Sequence, residues 1–352
     1  MAVKHAVLSA SSSERWLNCP PSARLCEAYE DKSSNYAAEG TDAHALCEFR
    51  LKQALGIPAD NPIENLSWYN EEMEDCAAGY AAYVSELLET AKQTCADPVI
   101  LIEQRVDFSR WVQDGFGTAD CIVIADGVLN IVDYKHGKGV EVSAVDNPQM
   151  MLYALGALEI FDGIYDIDSV RMTIYQPRKS NISVCVMEKD ELLEWAQNDL
   201  IYKAKLAYEG GGDFHCGEWC RFCKAKAECR ERAEANLALA RYDFEEPPLL
   251  TDEEIAGILD KVDALTAWAT DVKEYALQQA VSGTAFPGWK LVEGRPNRKY
   301  TSEAAVAAAV EGAGFDPYEK KLLGITAMQK LLGKSRFEEL LALYIEKPQG
   351  RP

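Results

Sequence analysis

Asp120, Asp133 and Lys135 share one short stretch of this sequence, GTADCIVIADGVLNIVDYK, residues 117–135. Carboxylates bind hard divalent cations such as Mg²⁺ and Mn²⁺ through oxygen. Such a cation polarises a phosphoryl oxygen and acidifies a bound water, and a nearby ammonium orients that water or offsets the developing negative charge. The residue types therefore suit metal-assisted hydrolysis. An ion pair at a strand end is the plainer alternative for Asp133-x-Lys135 taken alone. Local structure must bring the three together. Asp126-Gly127 lies between the apolar runs 121–125 and 128–132, and an Asp-Gly pair there predicts a hairpin, because both turn positions need positive φ. Asp120 then starts one strand, while Asp133 and Lys135 end the next. Alternation puts Asp133 and Lys135 on one face and Tyr134 on the other. Pairing across the turn returns Asp120 to the same end of the sheet.

Downstream, Asn147-Pro148 predicts a helix start, with Asn as N-cap and Pro at the first helical position. Gln149 and Tyr153 are four apart and share one helix face. The string Gly117-x-x-Asp120, Asp133-x-Lys135, Gln149-x-x-x-Tyr153 resembles the RecB-like branch of the PD-(D/E)XK nucleases, over residues 15–235. The wider string VDYKHGKG followed by NPQMMLYALGAL resembles a phage-encoded family within that group. The resemblance implies an α/β, restriction-endonuclease-like core, a small mixed β-sheet flanked by helices. It implies a Mg²⁺- or Mn²⁺-dependent deoxyribonuclease, an exonuclease serving phage DNA recombination, replication or processing. Asp120, Asp133, Lys135, Gln149 and Tyr153 would be catalytic. The metal would be held by Asp120, Asp133, the backbone carbonyl of Tyr134 and His44, which falls in the family-like Gly40-x-x-x-His44 pattern. Glu103, on the strand expected over 99–108, is an auxiliary ligand candidate. A solvated or structural helical histidine is the bland reading of His44. His136, directly after the lysine, reads as incidental, and Arg178-Lys179 reads as a solvated turn with a possible phosphate contact.

The sequence DFHCGEWCRFCKAKAECRER (residues 213–232) places cysteines at 216, 220, 223 and 229. Two readings stay open. Cys216, Cys220, Cys223 and Cys229 could hold one structural Zn²⁺. Alternatively Cys220-x2-Cys223-x5-Cys229 joins Cys19, which precedes a Pro-Pro pair far upstream, around a 4Fe–4S cluster. The second spacing resembles the cluster motif of RecB-like helicase-nuclease subunits and of some CRISPR-associated nucleases. Either site would act as a staple, because metal-binding free energy becomes folding free energy.

The elements that position these groups are mainly helical. Residues 1–13 read as flexible. A helix over 38–54 is entered through Gly40-Thr41, another runs from about Met73 to Thr94, and strands fall near 168–176 and 182–187. A helix covers 189–209, Thr251 caps a long helix over 251–281 with Glu254 completing a capping box, and 284–293 suggests a strand. Shorter helices begin at Ser302, Pro317 and Thr326. These divide the chain into a nuclease domain (1–240), a linker (241–250) and a mainly helical C-terminal region (251–352). GRPNRKY (294–300) is a short basic loop, and the polar end KPQGRP reads as frayed.

The chain has 352 residues and a net charge of −21. That acidity argues against tight, autonomous binding to nucleic acid through a general basic surface. It leaves room for a local basic groove, and favours, as the alternative function, a non-catalytic DNA-end-binding or adaptor protein on the same fold. A zinc-stabilised interaction protein is a third reading. Eleven cysteines without a secretory leader pattern oppose a disulfide framework. No run of about 18 apolar residues suggests a membrane span. The expected setting is the cytoplasm of a bacterial host, with DNA and a phage recombination or replication protein as partners.

Overall fold

The structure, a computed structural model, describes residues 6–30, 35–239, 250–293, 300–318 and 322–345. In chain order the first part runs α1 (Ser13–Asn18), α2 (Ser22–Glu27), α3 (Asn35–Ala54), α4 (Glu71–Thr94), β1 (Val99–Asp107), β2 (Phe116–Ala125) and β3 (Val128–Tyr134). It continues through α5 (Pro148–Tyr165), β4 (Ser169–Gln176), β5 (Asn181–Glu188), α6 (Lys189–Trp195), α7 (Ile201–Glu209), α8 (Arg230–Leu237) and α9 (Asp252–Val281).

Asp126 and Gly127 adopt φ of 48° and 73° and turn β2 back on β3. Successive pairing builds a five-stranded sheet in the order β1-β2-β3-β4-β5. All its pairs are antiparallel except β3–β4, which α5 crosses over to make parallel. The sheet is thus mixed and flanked by helices, as expected.

Each face buries its own apolar set. Ile122, Ile124, Leu129, Ile131, Val170 and Met172 pack beneath α5, whose Met150, Leu152, Ala154 and Leu155 are fully buried. The opposite face sets Cys121, Val123, Val132 and Tyr134 against Leu46 and Leu51 of α3 and Met73, Tyr80 and Val84 of α4. Two glycines allow α5 its close approach. A Cβ on Gly156 would lie 3.0 Å from Cβ of Val106, and one on Gly117 would lie 2.6 Å from the Tyr153 ring. The glycine that opens the Gly117-x-x-Asp120 motif therefore makes room for the tyrosine that closes the Gln149-x-x-x-Tyr153 motif.

Several expectations change. Residues 6–12 are packed rather than loose: Leu8 is fully buried, and Trp16 Nε1 donates to the Ser9 carbonyl at 3.0 Å. The helix carrying His44 begins at Asn35, so Gly40 lies within it instead of at its entrance. No strand forms at 284–293. The chain divides into compact units at Trp289–Lys290. The long helix α9 thus falls in the same unit as the sheet, and Asp271 ties it to Arg232 of α8 (2.6 Å) and to Lys226 in the loop before α8 (2.7 Å). Of the linker expected at 241–250, all but Leu250 falls outside the described residues, as do residues 294–299 of the basic loop and the terminal 347–352. The second unit contains α10 (Glu303–Gly312), α11 (Ile325–Leu332) and α12 (Lys334–Leu341). Ser302 caps α10 by accepting from the Ala305 amide. No helix begins at Pro317 itself, although residues 319–321 lie outside the description. Among the described residues no helix is long and apolar enough to cross a membrane.

Candidate functional site

The β2–β3 ladder is regular from Ala125–Val128 to Cys121–Val132 and then stops. One step further, Asp120 and Asp133 stand where the strands part. β2 stays paired with β1, while Asp133 and Tyr134 pair with Ile174 and Tyr175 of β4. The cleft at this split holds the polar groups expected there. Asp120 Oδ2 accepts the Tyr134 amide at 2.7 Å, and its Oδ1 lies 3.3 Å from Nδ1 of His44 on α3. Glu103 of β1 lies across from Asp120, at the step the β1–β2 ladder omits, with a φ of 51°. A non-glycine side chain in that left-handed region is strained, and such strain concentrates at functional sites. One donor atom each from His44, Glu103 and Asp120 falls within 4.8 Å of the other two.

On the α5 side of the sheet the second half of the site is a closed relay. Lys135 Nζ lies 2.8 Å from Asp133 Oδ2 and donates to Gln149 Oε1 at 3.0 Å. Gln149 Nε2 donates to Asp133 Oδ1 at 3.1 Å and to the Tyr153 hydroxyl at 3.2 Å. Asn147 sets the angle of this helix start by accepting from the amides of Gln149 and Met150, a cap worth about 1 kcal/mol. Asp133 is 2 % exposed, and its Oδ2 faces the Lys135 ammonium. A buried carboxylate oxygen that already meets a cation suits a cation ligand. The donor set of imidazole, carboxylates and a strand-end peptide suits Mn²⁺ or Mg²⁺ rather than a thiophilic ion.

Electrostatics separate the two aspartates. Burial pushes both carboxyls up, but the adjacent His44 outweighs it at Asp120, which ends below its ordinary value. At Asp133 burial prevails over Lys135 and the carboxyl is held up. Burial works against the charge on His44, yet the Asp120 carboxylate lifts the imidazole to about 9. Burial, then the Asp120 charge, lifts Glu103 to about 7.

His136 is not incidental. It is 5 % exposed, with Nδ1 2.8 Å from the Tyr134 hydroxyl and Nε2 3.4 Å from Glu39 of α3. Arg178 is likewise no solvated turn, since its Nη1 donates to Glu39 at 2.8 Å. Tyr134 also meets the His44 ring edge-on at 5.5 Å. The strand carrying Asp133 and Lys135 is thereby keyed to the helix carrying His44. Sequence pattern gave no sign of this, because Glu39, His136 and Arg178 meet only in three dimensions.

The cysteines form a second constellation. α1 ends at the buried Cys19 and packs against the short turn Glu218–Phe222, which carries the buried Cys220. The N-terminal cysteine therefore reaches the loop at 216–229. Cys216 lies half-buried in the same loop. Sequence reasoning missed Cys26, whose sulfur is 3.7 Å from that of Cys223 in a small buried cluster. Its signal was its place on α2, seven residues beyond Cys19. Among the described residues no three of these sulfurs lie within 4.8 Å of one another, whereas a single tetrahedral zinc holds its sulfurs roughly 3.8 Å apart.

The crystal structure of SSO0001 aligns with 53% of this chain and 94% of its own, at 14% identity and a TM-score of 0.24, too loose a likeness to inform the site. Residues 5–352 match the family described as DUF2800, protein of unknown function, and the chain belongs to that family.

Proposed function

We propose that this chain is a metal-dependent deoxyribonuclease of the PD-(D/E)XK type. The observation that carries the reading is the relay Asp133–Lys135–Gln149–Tyr153 facing Asp120 and His44 across the strand split. His44, Glu103 and Asp120, with Asp133 and the Tyr134 carbonyl, would hold a divalent cation, which would supply Lewis-acid polarisation of a phosphodiester and an acidified water. Lys135 is held by Asp133 and Gln149 with its ammonium beside the cleft. From there it orients the attacking water and offsets charge building on the phosphorus oxygens. Gln149 spends both ends of its amide on holding Lys135 and Asp133 in register, and Tyr153 holds Gln149.

The test is cleavage of end-labelled DNA with Mg²⁺ or Mn²⁺, which also shows whether digestion starts at ends, as an exonuclease requires. Asp133→Ala and Lys135→Ala should each lower turnover by at least about a hundredfold, in line with the loss of one transition-state contact, while circular dichroism stays unchanged. Turnover at the wild-type rate in either variant removes the assignment. The acidity of the chain favours one other reading, a DNA-end-binding adaptor, which predicts binding without cleavage by the intact protein.

For the cysteine constellation we propose a 4Fe–4S cluster on Cys19, Cys220, Cys223 and Cys229. The support is the packing of the helix that ends at Cys19 against the turn that carries Cys220. A zinc site would instead recruit Cys216.

A further inference from the structure

We propose that Lys138 and Arg178 form a seat for one backbone phosphate of DNA, closed in the free protein by the carboxylate of Glu72. The proposal rests on the nuclease reading and adds a substrate contact to it. Lys138 follows Lys135 by three residues, just beyond the end of β3. Arg178 stands on the β4–β5 turn, two residues past Gln176 at the end of β4, the strand that pairs with β3. Both cations therefore lie on the rim next to the proposed active site.

The contacts divide into a fixed inner set and a loose outer one. Arg178 Nη1 donates to Glu39 at 2.8 Å and to the His136 carbonyl at 3.3 Å, and the side chain is only 11% exposed. These bonds hold the guanidinium without using its other terminal nitrogen, Nη2, which points outward to Glu72 Oε2 at 3.1 Å. Lys138 Nζ grips the same carboxylate, 2.9 Å from Oε1 and 3.0 Å from Oε2. Glu72 thus presents two oxygens to an ammonium and a guanidinium edge, as two non-bridging oxygens of a phosphodiester would.

Magnitudes favour displacement. Glu72 is half exposed, in the first turn of α4, and can swing into water. An ion pair whose carboxylate is half exposed is held weakly. A phosphate on a polymer that releases counterions with each contact competes readily. Once Glu72 has left, Lys138 and Arg178 keep Glu39 as the carboxylate partner described above, two positive charges against one in a chain of net charge −21. The mask would also disfavour isolated anions, which lack the neighbouring contacts of a strand.

The experiment is anisotropy of a short labelled DNA duplex on the full chain, titrated over a range of salt, with EDTA present so that nothing is cut. Lys138→Ala should weaken binding several-fold and reduce the slope of log affinity against log salt by about one. Glu72→Gln should tighten binding several-fold, and the double variant should behave like Lys138→Ala, because the mask matters only while the seat exists. Lys92→Ala, which breaks a similar exposed pair with Glu89 at the far end of α4, should change little. If Lys138→Ala and Glu72→Gln bind like the wild type while the wild type cleaves, the seat is refuted and the nuclease reading stands. Equal losses in Lys92→Ala and Lys138→Ala refute it as well, as mere bulk charge. A wild type that neither binds nor cleaves DNA takes both down.

Discussion

At the scale of single residues the site is a set of charges held apart by burial. With no cation bound, His44 carries its proton up to about 9 and Glu103 up to about 7. The sign is the same for both groups. Each holds its proton more tightly in the folded protein than in the unfolded chain, whose values are about 6.5 for His and 4.3 for Glu. The stability they lend is complete below those unfolded values and is lost as pH rises through about 7 and then about 9. A cation needs both groups deprotonated, so its affinity should climb over that same range. Melting curves in EDTA and in excess Mn²⁺ check this: the gap between them should widen from pH 6 to pH 9, and a constant gap refutes the ligand set. His44→Ala should weaken the Mn²⁺ titration by about tenfold or more while shifting the melting temperature little, and an unaltered titration reduces His44 to a structural role. Asp133, Lys135 and Gln149 were legible because strand alternation and helix spacing act over a few residues. Glu103 was only half legible, since nothing in its sequence surroundings signals a left-handed backbone.

Among the elements, α3 departs most instructively from its sequence pattern. Gly40 reads as a helix entrance but sits inside the helix, one turn before His44, and among the described residues a Cβ there would meet nothing within 4 Å. A mid-helix glycine costs about 0.5–1 kcal/mol relative to alanine, and packing does not account for it. Gly40 follows Glu39, which holds Arg178 of the proposed phosphate seat. Gly40→Ala should therefore raise the melting temperature slightly and raise KM for DNA with little change in kcat. An unchanged KM would leave that glycine without explanation. The long helix α9 was legible from end to end through its cap and periodicity, yet its partner was not. Asp271 grips Lys226 and the 6 %-exposed Arg232. Burial alone would raise its carboxyl, but these two bonds bring it below its usual value. The stability they add is present above the unfolded value, about 3.9, and disappears as pH falls through the lower folded one. Asp271→Asn should cost about 1–3 kcal/mol at neutral pH, because Arg232 loses a charged partner. Hydrogen exchange should place that loss in α8 and α9 rather than in the sheet.

Over the whole molecule, the sheet was legible and the boundary of the unit that contains it was not. The hairpin, the crossover helix and the strand pair after it are local patterns, and each neighbour in the sheet is also a neighbour in sequence. α9 packs along α8 and so stays with the sheet, and no linker-like composition reveals this. The cysteine constellation makes its prediction at this scale too. Protein purified without air should be brown and contain iron. Cys19→Ser should lose the iron and destabilise the first unit, while Cys216→Ser keeps both. Zinc in the wild type, lost on Cys216→Ser and kept on Cys19→Ser, would overturn the cluster assignment.

The burial of Trp16 and Leu17 against α5 and α7 has a cost in time. The strands can join the sheet one after another as they leave the ribosome, each finding a partner already made. Helices α1 and α2, made before the strands, cannot. At roughly 5–20 residues per second, α1 waits on the order of 10–40 s for α7 to emerge. Throughout that interval a tryptophan and a leucine destined for burial stand in water, so the nascent chain offers a chaperone an apolar site before the sheet is made and withdraws it only after the last strand.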